Sequence, residues 1–158
     1  MEDKISAQLN NGEVKPFTVL LADDDADDCL FFKNALAKLP QPTHLTTVND
    51  GEELMQLLTN ETTEIPTVLF LDINMPRKNG YECLSEIKAN NRLKDIPVVM
   101  FSTSNSRENM TVLFKGGAHV YVHKPSEFEQ LIKVIHHALN IATEKLFSNS
   151  HLKYILNA

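Results

Sequence analysis

The chain has 158 residues, 42% hydrophobic and 23% charged, with a formal net charge of −6 at pH 7. That length suits one domain with a substantial core, and the composition is that of a globular chain, not a disordered one. The negative charge argues against a general nucleic-acid surface, which needs a basic stripe. No apolar run approaches the roughly 20 residues of a membrane span.

Met1 to Lys15 is polar and begins with Glu2 and Asp3. It has no basic segment followed by an apolar stretch, so it is not a secretory signal. A flexible segment over 1–15 and a cytoplasmic protein are predicted. Phe17 to Ala22 is a short apolar strand that runs into Asp23-Asp24-Asp25. From Ala26 a helix is predicted, with Phe32, Ala35, Leu36 and Leu39 at i, i+3, i+4 and i+7. Asp25 suits its N-cap, Asp27 and Asp28 suit the positive end of its dipole, and Pro40 and Pro42 end it.

His44 to Val48 reads as a second, weaker strand, followed by the turn Asn49-Asp50-Gly51 and a short helix marked by Leu54, Leu57 and Leu58. Pro66 introduces Thr67 to Leu71, an apolar run of the kind buried in a parallel sheet, which stops at Asp72. A helix from Gly80 turns Leu84 and Ile87 inward and ends at Asn90-Asn91. Val98 to Phe101 is the fourth strand and ends in Ser102 and Thr103. Met110, Leu113 and Phe114 share one face of the next helix, which Gly116-Gly117 stops. Val120-Tyr121-Val122 is the fifth strand, closed by Lys124-Pro125. Ser126 and Glu129 have capping-box spacing for a last helix, whose core face is Phe128, Leu131, Ile132, Ile135 and Leu139. Residues 143–158 are too apolar for a solvated tail, and a further helix or a self-association segment is predicted there.

The alternation predicts an α/β fold over 16–142: a doubly wound, five-stranded parallel sheet of flavodoxin-like order 2-1-3-4-5, with right-handed crossovers and helices on both faces. Asp23 and Asp24, Asp72, Ser102 and Lys124 then end four strands on one edge, where such sheets bind ligands. Neighbouring strands about 4.8 Å apart let Asp24 and Asp72 share a cation. Lys124, two strands and roughly 10 Å from Asp72, can lean across Ser102. Two unit charges about 4 Å apart repel by about 4 kcal/mol at an effective dielectric of about 20. A carboxylate cluster therefore protonates or binds a cation, and oxygen-only ligands point to Mg²⁺. Alone, Asp72 could as well cap the next helix; four complementary strand ends are not explained that way. Cys29 and Cys83 have no metal-type spacing and read as packing residues rather than redox partners. His119 and His123, about 13 Å apart along a strand, and His136 and His137, diverging on a helix, form no metal site.

The set Asp23-Asp24, Asp72 with Asn74-Met75-Pro76 and Gly80, Ser102, Tyr121 and Lys124-Pro125 resembles the receiver domain of two-component response regulators over about residues 17–140. The resemblance implies a phosphorylation-dependent signalling switch, with Asp72 as phosphoacceptor and a sensor histidine kinase or phosphotransfer protein as donor. It implies direct binding of Mg²⁺ by Asp24 and Asp72, with Asp23 acting through water and Asn74 through its carbonyl. Ser102 and Lys124 would take phosphoryl oxygens, and Lys124-Pro125 is expected as a cis peptide. Tyr121 would turn into space vacated by Ser102, although ordinary strand packing also accounts for it. No enzyme activity is implied beyond promoting its own phosphorylation and dephosphorylation.

A stand-alone regulator is expected, its output contact with an unknown downstream protein and not with nucleic acid or membrane. Ile87 to Pro97, Ser102-Thr103-Ser104 and the apolar tail are similar to phytochrome-associated single-domain regulators, which suggests a homodimer. Two other readings stand beside this one. A phosphatase of the haloacid-dehalogenase type would need an acid/base Asp where Asn74 stands, and an amide cannot serve. A receiver-like scaffold acting without phosphorylation would show no phosphoryl uptake.

Overall fold

The computed structural model describes residues 9, 10, 13–104, 106–118, 120–143 and 154–156. In chain order its elements are β1 (Leu9–Asn10), β2 (Glu13–Val14), β3 (Phe17–Ala22), α1 (Ala26–Leu36), β4 (Thr43–Val48), α2 (Gly51–Thr59), β5 (Val68–Leu71), α3 (Gly80–Ala89), β6 (Val98–Ser102), α4 (Arg107–Lys115), β7 (Val120–His123), α5 (Phe128–Thr143) and β8 (Tyr154–Leu156). The main sheet has the order β4-β3-β5-β6-β7-β8, parallel throughout. Its first five strands reproduce the predicted 2-1-3-4-5 order, with five helices alternating between them.

The reason lies in the strands. All four residues of β5 and all five of β6 are buried, so helices must cover both faces. On one face α1 and α5 pack Phe32, Ile135 and Leu139 against Val19, Leu21 and Phe70. On the other, Leu54, Leu84, Ile87 and Leu113 from α2, α3 and α4 pack against Leu20, Leu69 and Met100. Phe32, Phe70 and Phe101 meet edge to face at centroid distances of 4.9, 5.7 and 6.1 Å, the arrangement aromatic quadrupoles favour.

Several local expectations are corrected. Asp25 does cap α1, accepting from the amides of Asp27 and Asp28. The capping box, however, forms at Asn79 and Glu82 on α3. It does not form at Ser126 and Glu129, because α5 starts at Phe128 and its first bond runs from Leu131 to the Glu127 carbonyl. Ser126 therefore lies one residue upstream of the cap position. The Lys124-Pro125 peptide is trans, as is every peptide among the described residues; trans is the ordinary preference even before proline. Cys29 and Cys83 are unbridged; the buried Cys83 donates to the Gly51 carbonyl at 3.7 Å.

Within the segment expected to be a flexible lead-in, β1 and β2 pair antiparallel, while 1–8, 11 and 12 lie outside the described residues. Of the C-terminal extension, 144–153 and 157–158 lie outside them, as does His119. Tyr154–Leu156 is a strand, paired with Val120, Tyr121 and Val122. Among the described residues no helix is long and apolar enough to cross a membrane.

Candidate functional site

Strand register assembles the site at the carboxyl edge of the sheet. Ala22 pairs with Leu71, and the Asp72 amide donates to the Ala22 carbonyl at 3.0 Å, so Asp23 and Asp72 emerge side by side. Leu71 pairs with Met100 and Ser102 with His123, while the Lys124 amide donates to the Ser102 carbonyl at 2.8 Å. Behind Asp72 the chain turns sharply and Gly80 donates to the Ile73 carbonyl at 2.8 Å. A Cβ on Gly80 would run into the Asp72 carbonyl oxygen and the Ile73 Cα. Only glycine lets α3 start this close beneath the site.

Asp23, Asp24 and Asp72 each offer a carboxylate oxygen within 4.8 Å of the others. Asp23 and Asp72 are buried, at 1% and 7% exposure, whereas Asp24 faces solvent. Asp23 is oriented at both oxygens: Oδ1 accepts from the Asp25 amide at 3.0 Å and Oδ2 from Lys124 Nζ at 2.8 Å. The ammonium also donates to Asp28 Oδ2 at 3.1 Å and lies 3.6 Å from Asp72 Oδ2. Its other neighbour is the Phe101 ring, 5.4 Å to the centroid, a cation–π contact.

Burial works against the Lys124 ammonium, yet Asp23, Asp72 and Asp28 outweigh it and hold its pKa above the ordinary range. For Asp72 the balance is reversed. Burial pushes its pKa up to about 6, helped by Asp23 and opposed by Lys124 and the amides of Ile73 and Asn74. The site thus has more carboxylate than its one ammonium can neutralise. That deficit, with three oxygens converging from two strand ends, makes Asp23, Asp24 and Asp72 capable of binding a metal ion.

Ser102 and Tyr121 meet at a second point. The buried Ser102 hydroxyl accepts from the Ser104 amide at 3.1 Å. Tyr121 is fully buried and donates its hydroxyl to the Ser104 carbonyl at 2.7 Å. The tyrosine lies inward, packed in the core beside β6. Ser104 Oγ in turn accepts from the Ser106 amide and the Asn109 side chain, both at 3.1 Å, and His123 Nε2 lies 2.9 Å from the Thr103 carbonyl. Asn74 is exposed on the turn after Asp72. The structure thus gathers Asp23, Asp24, Asp72 and Lys124 directly, with Ser102 and Tyr121 joined through Ser104. Sequence reasoning missed Asp28 and Phe101 as partners of Lys124. Asp28 was visible only as a carboxylate in the first turn of α1.

The response regulator receiver domain family matches residues 19–136. Among relatives, the response regulator Rcp1 of Synechocystis is 30% identical over 124 residues, covering 76% of this chain and 84% of its own. The probable methanogenesis regulatory protein FilR2 of Methanothrix harundinacea is 28% identical over 138 residues, covering 83% and 89%. Two solved structures of response regulators superpose well. The Mn²⁺-bound form of Rcp1 has a TM-score of 0.70 at 29% identity, covering 80% of this chain and 91% of that one. The phosphorylated cyanobacterial phytochrome response regulator RcpA has a TM-score of 0.72 at 30% identity, covering 80% and 94%. Sheet order, carboxylate cluster and family match agree: the chain belongs to the response regulator receiver domain family.

Proposed function

We propose that the protein is a switch of a two-component phosphorelay, accepting a phosphoryl group on Asp72 from a phosphohistidine of a sensor histidine kinase or phosphotransfer protein. The observation that carries this reading is the position of Asp72: a buried carboxylate at a strand end, 3.6 Å from Lys124 and clustered with Asp23 and Asp24. A carboxylate oxygen of Asp72 would attack phosphorus as the P–N bond to the donor imidazole breaks, leaving an acyl phosphate on the aspartate. Lys124 would take one phosphoryl oxygen, and Ser102 another once its loop shifts. Asp23, Asp24, Asp72 and the Asn74 carbonyl would hold Mg²⁺, which supplies charge neutralisation for the incoming dianion. The Mn²⁺-bound Rcp1 and phosphorylated RcpA structures support both halves of the reading by analogy.

Output would follow from the Ser102–Ser104–Tyr121 connection, which links the phosphoryl edge to α4 and β7. Val112 on α4 is 54% exposed, which suits a protein-binding face, either for an unidentified downstream protein or for a second copy in a homodimer. A cytoplasmic site of action fits a kinase-fed relay. Incubation with Mg²⁺ and acetyl phosphate, followed by intact-mass spectrometry, tests the proposal. One added phosphoryl mass is expected in the wild type and none in Asp72→Asn. No uptake by the wild type would favour the alternative, a receiver-like interaction scaffold that works without phosphorylation.

A further inference from the structure

Asp28 is not among the residues that hold the phosphoryl group or the metal in the reading above, yet its carboxylate touches the same ammonium. It sits in the first turn of α1, its amide bonded to the Asp25 cap at 3.1 Å, where the helix dipole favours a negative charge. Its Oδ2 accepts from Lys124 Nζ at 3.1 Å. Lysine has three donors. Two are committed, one to Asp28 on α1 and one to Asp23 at the end of β3 at 2.8 Å, while Asp72 stands off at 3.6 Å, beyond hydrogen-bond distance.

We propose that Asp28 is a positioning residue that holds Lys124 on the α1 side of the site and sets how readily its ammonium transfers to a phosphoryl group on Asp72. The inference rests on Asp72 being the phosphoacceptor. Asp23 belongs to the carboxylate cluster able to hold a cation, and a carboxylate engaged with a cation grips an ammonium less. Asp28 is then the partner that still draws Lys124 toward α1. The cavity of about 30 Å³ beside the ammonium is walled by Phe31, Phe101, Pro125 and Leu131 and, among the described residues, offers it no other polar side chain than Asp28. The side chain of Asp28 is 42% exposed, so water weakens its hold and makes it a graded restraint, not a lock. Removing it leaves the ammonium to Asp23 and Asp72 and places it nearer the incoming group.

The test follows phosphoryl uptake from acetyl phosphate with Mg²⁺ by intact mass over time, in the wild type and in Asp28→Asn, Asp28→Glu and Asp27→Asn. Asp27→Asn removes the same charge from the same helical turn, but Asp27 makes no ion pair with Lys124 among the described residues. Asp28→Asn is expected to be phosphorylated about two- to fivefold faster, the factor to which a solvent-weakened ion pair converts. Asp28→Glu is expected to restore the wild-type rate, and Asp27→Asn to match it. A purely structural role would lower the melting temperature of Asp28→Asn without accelerating uptake. An unchanged rate in Asp28→Asn, or equal acceleration in Asp27→Asn, overturns the proposal and leaves Asp72 as phosphoacceptor. A wild type that takes up no phosphoryl group overturns both.

Discussion

Lys124 Nζ lies 3.6 Å from Asp72 Oδ2, close enough for attraction and too far for a hydrogen bond. The lysine therefore only partly offsets the burial of Asp72, whose pKa rises from 3.8 to about 6. A carboxyl with a raised folded-state pKa stabilises the fold fully below its unfolded value, and that contribution is lost as pH rises through about 6. At neutral pH the charged Asp72 thus strains the fold. Without divalent cations, Asp72→Asn should be more stable than the wild type at pH 7.5 by about 2–3 kcal/mol. The advantage should shrink as pH falls from about 6 and vanish below about pH 3. Urea denaturation of both proteins across this range checks it; a difference independent of pH would contradict the assignment.

Adding a divalent cation should reverse that penalty. A ligand at about 100 times its dissociation constant stabilises by about 2.7 kcal/mol, and Mg²⁺ or Mn²⁺ should raise the melting temperature of the wild type accordingly. Asp24 is the exposed member of the cluster, so Asp24→Asn should fold normally and lose most of the cation-induced shift. A shift of equal size in this variant would place the ion elsewhere.

Gly80 sits where a Cβ would strike the Asp72 carbonyl. Forcing a methyl group into such a contact costs about 1–3 kcal/mol. Gly80→Ala should lose about that much stability by chemical denaturation. It should also slow phosphoryl uptake, because the backbone that must yield is that of Asp72 itself. Stability lost with uptake intact would show that α3 moves instead.

The Tyr121 hydroxyl donates to the Ser104 carbonyl at 2.7 Å. Tyr121→Phe keeps the ring in the core and deletes one hydrogen bond, a net loss of about 0.5–1.5 kcal/mol. The loss should be local: hydrogen exchange should quicken at the Ser104 and Ser106 amides and stay unchanged in β5. Uniformly faster exchange would mean that the hydroxyl supports the whole core.

Much of this was readable because parallel strands announce themselves. Val68 to Leu71 reads as a strand buried on both faces, and a charge directly after such a run falls at the sheet edge. Asp23, Asp72 and Lys124 were found in this way. What escaped depends on geometry that spacing does not carry. Asp28 looked like a partner for the helix dipole, and only the rotation of α1 against β7 turns its carboxylate onto Lys124. Ser126 missed the cap by one residue, a difference smaller than the uncertainty of any helix boundary read from a pattern. Tyr121 lies in its expected strand, but the bond from its hydroxyl to the Ser104 carbonyl joins two segments that spacing does not relate. The pairing of Tyr154–Leu156 with β7 is a long-range choice that three apolar residues cannot encode by themselves.

That last pairing makes the two margins of the sheet unequal. On the β7 side Val120 to Val122 pair with β8, and the margin shrinks to three residues. On the far side the six-residue β4 has no outer partner among the described residues, and Thr-His-Leu-Thr-Thr-Val carries neither proline nor a fixed charge. Unpaired strands of this kind are templates for further strand addition. An extended chain added beside Thr43 to Val48 would lengthen the sheet on the margin whose last residue, Val48, accepts from the Asp23 amide at 3.0 Å, and so next to the strand that carries Asp23.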